Sequence, residues 1–64
     1  MIIPPELQAV LDENPELKER FEALKLTLKR NNCNFVAQAK RAETKQKRIE
    51  RLIPLILAGK GIYE

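Results

Sequence analysis

The chain reads as an all-α domain, a compact bundle of four short helices. Three observations predict it. Apolar residues recur at spacings of three and four through most of the sequence. No run alternates β-branched with polar residues as a half-buried strand would. Helix-start and helix-stop residues, Pro5, Asn14-Pro15 and Gly59, stand between the periodic segments.

The first helix is expected over about 5–13. Pro5 suits a first turn, where no amide donor is needed. Leu7, Val10 and Leu11 form its apolar stripe. Asn14-Pro15-Glu16 is the sharpest local signal: a cap, a first-position proline and an acid at the positive end of the helix dipole. It opens a second helix over about 15–25, with Leu17, Phe21 and Leu24 inward. Glu16–Arg20 and Lys18–Glu22 have the spacing of weak surface ion pairs.

A third helix is expected over about 28–40, capped by Thr27, with Leu28, Phe35, Val36 and Ala39 on its inner face. Its centre, Asn31-Asn32-Cys33-Asn34, is poor helix-forming sequence. Asn32 falls near the apolar stripe, so it needs a hydrogen-bond partner or an exposed edge. The fourth helix should run from Ala42 or Glu43 to about Ala58. Ile49, Leu52, Ile53, Ile56 and Leu57 give its buried face. Pro54 removes one backbone bond and presses on the carbonyl of Glu50, so a kink is expected there. Gly59 stops the helix. Ile62 and Tyr63 either fold back over the core or hang loose.

Sixty-four residues make one domain at most, with a stability of roughly 3–5 kcal/mol. There is one cysteine, Cys33, so an internal disulfide is excluded; a semi-buried, inert thiol is expected. Histidine is absent, which removes the commonest general base and metal ligand. Catalysis, a metal and a cofactor are therefore not expected. No secretory signal or membrane-length apolar run is visible, so a cytoplasmic setting is the expectation.

Charge is unevenly split. Residues 1–28 hold six acids and three bases, whereas residues 29–64 hold nine bases and three acids. The net charge of +3 comes entirely from the second half. Its focus is a junction between helices carrying Lys40, Arg41, Lys45, Lys47, Arg48 and Arg51. Such a cluster is either a solvated or internally paired helix face or a surface for an anionic partner. Phe21, Phe35 and Tyr63 are the only aromatics, so base stacking and sequence-specific nucleic-acid readout are not expected.

Ala39-Lys40-Arg41, Glu43-Thr44 and Arg48-Ile49, with Ile3-Pro4-Pro5-Glu6-Leu7, Asn14-Pro15 and Leu57-Ala58-Gly59-Lys60, carry a family resemblance. The chain resembles the bacteriocin-protection, YdeI or OmpD-associated family from about Ile3 to Lys60. Ala42 stands where that family usually has proline, and Phe35 where tryptophan is frequent. The resemblance implies a short helical domain, often the C-terminal module of a longer protein, and a link to antimicrobial-peptide or bacteriocin protection.

The function expected is that of a non-enzymatic accessory or interaction module. Lys40, Arg41, Lys45, Arg48 and Arg51 are its candidate partner- or anion-binding residues. A protein partner or companion domain leads; weak, non-specific contact with nucleic acid or anionic lipid is the alternative, and a homodimer is a further option. Arg48 precedes the buried Ile49, so its stem is expected to pack on the core. That leaves Arg41 and Lys45 as the preferred functional cations. Glu43 and Thr44 are assigned to stabilising the start of the fourth helix. Leu26, Leu55 and Ile62 do not fit the inner stripes well; either they cluster outside as a contact patch or they are scattered single surface apolars.

Overall fold

The computed structural model describes residues 2–63. Four helices follow one another: α1 (Pro5–Glu13), α2 (Pro15–Glu22), α3 (Leu26–Ala37) and α4 (Ala42–Leu57). The described residues contain no strand. Helix α4 packs on each of the other three, because its apolar stripe is the longest. Leu7, Leu11, Leu17, Phe21, Leu24, Cys33, Val36, Ile49, Leu52 and Ile56 close one core between them.

The helix starts follow local chemistry. Pro5 occupies the first turn of α1, and Gln8 N–H bonds to the Pro4 carbonyl at 2.9 Å. Asn14 caps α2 as expected: its Oδ1 accepts from Leu17 N–H at 3.3 Å. The second helix ends three residues early. Leu24 N–H turns back to the Phe21 carbonyl at 3.1 Å, which brings Leu24 into the core instead of continuing the spiral. Lys18 reaches Asp12 at 3.6 Å, across the α1–α2 corner, and neither expected pair within α2 is present among the described residues.

Helix α3 departs most from expectation. It begins at Leu26, with Lys25 in an extended conformation as the cap residue and no side-chain cap. Thr27 therefore lies inside the first turn. The buried row is Asn32, Cys33 and Val36, while Leu28 and Phe35 sit at the margin of the core. Of the expected inner face, Val36 and Ala39 are buried, while Leu28 and Phe35 are only partly so. At the margin, an arginine of α4 covers the Phe35 ring. Cys33 is fully buried and free, and burial pushes its thiol pKa up.

Helix α4 runs continuously through Pro54, which is exposed. Glu50, whose carbonyl loses its bond to the proline, is also exposed, so water can take that bond. Leu57, expected inward, is 38% exposed at the last turn. Gly59 ends the helix with φ +76°. Lys60 N–H bonds to the Leu55 carbonyl at 2.8 Å and Gly59 N–H to that of Ile56 at 3.0 Å, the paired bonds of a Schellman cap.

The chain then folds back over α3. Ile62 N–H donates to Asn32 Oδ1 at 2.9 Å, which supplies the partner that this buried asparagine required. Its Nδ2 has no hydrogen-bond partner among the described residues. Gly61 is buried against Leu28; a Cβ there would lie 2.9 Å from Leu28 Cδ2. Ile62 and Leu55 pack on the core and, of these three, Leu26 alone is strongly exposed, so they form no common outer patch. Tyr63 is exposed.

Candidate partner-binding surface

The five candidate cations divide into two groups. Arg48 is committed inside the fold. Its Nη1 donates to the Phe35 carbonyl at 2.7 Å, and its guanidinium carbon stands 4.7 Å from the Phe35 ring centroid. The carbonyl needs this donor. Phe35 lies in the last turn of α3, and Ala39 N–H, which would normally reach it, bonds to Val36 at 3.2 Å instead. Arg48 thus caps the negative end of α3 from the side of α4.

Lys45 is partly committed. Its Nζ lies 3.6 Å from Glu6 Oε2 and its side chain is 24% exposed. This is the one ion pair among the described residues that joins the acidic first half to the basic second half. Lys47 pairs along α4 with Glu43 at 3.6 Å, fully at the surface. Glu43 sits in the first turn as expected, but no side chain caps α4, Thr44 included.

Lys40, Arg41 and Arg51 are exposed and have no hydrogen-bond or ion-pair partner among the described residues. Lys40 and Arg41 belong to the α3–α4 connection, with Arg41 as the extended cap residue of α4. Arg51 lies further along α4.

Beside the junction is an open groove of about 580 Å³, lined by Ile2, Pro4, Pro5, Asn34, Ala37 and Lys45. Ile2 is 88% exposed, more than any other large apolar residue described. Sequence reasoning missed this groove because it lies between segments distant in sequence. The available signal was the apolar run Ile2-Ile3-Pro4 ahead of the first helix.

A second cavity of about 420 Å³ lies at the opposite end of α3, lined by Arg20, Ala23, Leu24, Lys25, Leu28, Ile56 and Gly59. No described helix is long and apolar enough to cross a membrane. No group of three or more candidate metal ligands is found among the described residues.

Residues 1–59 match the family described as "Bacteriocin-protection, YdeI or OmpD-Associated". The chain belongs to this family. It is also 43% identical over 62 residues to an uncharacterized protein, YdeI, of Bacillus subtilis (strain 168). That match covers 97% of this chain but 32% of the relative, so the chain spans about a third of the length of that curated family member. No solved structure matches it.

Proposed function

We propose that this chain is a non-enzymatic interaction module of its family, meeting a protein partner or companion domain through the cations around the α3–α4 junction. The observation that carries the reading is the division among those cations. Arg48 caps a helix and Lys45 pairs with Glu6, whereas Lys40, Arg41 and Arg51 serve no internal contact among the described residues. Exposed, unpaired charges add little to stability and suit electrostatic recognition. The greater length of the Bacillus relative supports a companion domain. The family description supports a role in bacteriocin protection. Cytoplasmic residence belongs to the same reading; the free, buried Cys33 suits a reducing compartment.

The test expresses the unmatched two thirds of the Bacillus relative as a separate chain. Its binding to this domain is measured by calorimetry, with the relative's own matching segment as control. Replacing Lys40, Arg41 and Arg51 together by Gln should abolish binding while leaving helicity and Tm unchanged. Undiminished binding by that variant, or none by the unaltered domain, overturns the companion-domain reading.

A further inference from the structure

We infer that the segment after Lys60 is a strap that opens as a unit while the four helices stay folded, and that its opening extends the second cavity over Leu28 and Asn32. The inference stands apart from the proposed contact role.

The pivot follows from the end of α4. The Schellman pair holds the chain as far as the Lys60 N–H, which bonds to the Leu55 carbonyl at 2.8 Å. Lys60 is exposed and stands between two glycines. A Cβ on Gly59 would meet no atom within 4 Å, so the chain is clear of its neighbours as it leaves the helix. Gly61 has no Cβ to restrict its dihedrals. Backbone rotation at Lys60 and Gly61 therefore swings the strap without disturbing the cap.

The strap closes on α3. Ile62 N–H donates to Asn32 Oδ1 at 2.9 Å, and Ile62 packs against the core without being enclosed by it. Gly61 is buried, with Leu28 Cδ2 2.9 Å from where its Cβ would stand, so closure favours glycine there. Closure also carries a penalty. Asn32 is fully buried, and its Nδ2 has no acceptor among the described residues. A donor kept from water without an acceptor destabilises the closed state. Lifting the strap uncovers the asparagine and lets water reach its amide. The buried residues of the core all precede Lys60, with Leu52 and Ile56 among them, so opening leaves them in place.

Opening changes the second cavity. Leu28 and Gly59 belong to its lining, and Gly61 rests on Leu28. Asn32 lies one turn further along the same face of α3 as Leu28. With the strap lifted, the cavity continues across Leu28 to the Asn32 amide, which offers an acceptor and donors. The strap is a lid on that extension: closed, it occupies the acceptor with its own Ile62 N–H.

Amide hydrogen exchange of the full chain, followed by NMR with and without about 1 M urea, tests the opening. The Ile62 amide should be protected relative to an unfolded chain and should exchange at least tenfold faster than the Leu52 and Ile56 amides. Its rate should hold in urea while theirs rise several-fold, because only global unfolding exposes a large surface. An Ile62 amide with the rate and urea dependence of the core would make the strap part of the helical unit and overturn the inference. One with no protection would mean that the strap is never closed, which overturns it too. The lid is tested in Gly61→Val, whose side chain cannot fit against Leu28. A gadolinium chelate in solution should relax the Leu28 methyls and the Asn32 side-chain amide at least threefold faster than in the unaltered protein, with helicity unchanged. Unchanged relaxation overturns the lid, and loss of helicity overturns the independence of the opening.

Discussion

Arg48 donates from Nη1 to the Phe35 carbonyl at 2.7 Å while its guanidinium lies 4.7 Å from the centre of the same residue's ring. One side chain thereby satisfies a helix-end acceptor and covers an aromatic face. Replacing Arg48 by Gln removes a charge-assisted bond and a cation–π contact, so stability should fall by about 2 kcal/mol. For a domain this small, Tm should drop by roughly 8–16 °C. Lys should rescue poorly, because an ammonium cannot reproduce the planar contact with the ring. A thermal melt in which Arg48→Gln matches the unaltered protein would remove Arg48 from the structural group.

The margin position of Phe35 changes the expected ranking of the aromatic residues. A central Phe35 would cost about 3–5 kcal/mol when truncated to Ala, enough to unfold the domain. Half-buried, it should cost about 2–3 kcal/mol. Phe21, fully enclosed by the core, should carry the larger penalty. Urea titrations of Phe21→Ala and Phe35→Ala decide the order. A Phe35 variant less stable than the Phe21 variant would place Phe35 at the centre of the core rather than at its margin.

Asn32 ties the end of the chain to α3 through the Ile62 N–H. Asn32→Ala should free the segment after the Schellman cap, so trypsin should cut after Lys60 several times faster than in the unaltered protein. Equal cleavage rates would mean that the bond holds nothing in place.

Asn32→Asp offers a pH signature at the same site. Burial should raise the folded-state pKa of the new carboxyl above its unfolded value of about 4. A raised folded pKa means the extra stability is present below the unfolded pKa and is lost as pH rises through the folded one. The variant's deficit against the unaltered protein should therefore be large at pH 7 and shrink towards pH 4. A pH-independent deficit would show that the site is not desolvated.

The nucleic-acid and anionic-lipid alternative has a separate signature. Affinity for a DNA duplex or an anionic vesicle should be non-specific and should collapse between about 50 and 200 mM salt, because counterion release drives it. Sequence-selective binding that survives about 200 mM salt would require a readout surface that the groove and the exposed cations do not provide.

Much of the fold was legible in the order of residues, because local rules acted there without competition. Asn14-Pro15 set the start of α2 and Gly59 the end of α4, each through backbone geometry that needs no distant contact. The absence of histidine and of a second cysteine restricts the chemistry at the level of composition. That Leu28 and Phe35 sit at the margin was not legible, since they are as apolar as Val36 and their neighbours at the margin, Gly61 and Arg48, are distant in sequence. The roles of the cations were equally hidden. Lys45 and Arg41 look alike in sequence, but packing brings Glu6 to one and leaves the other in water. Sequence determined the helices and the charge that they carry, because propensity, capping and composition act within a few residues. Tertiary structure alone decided which charges are used up and where a groove remains, because both depend on groups that are neighbours only after the chain has packed.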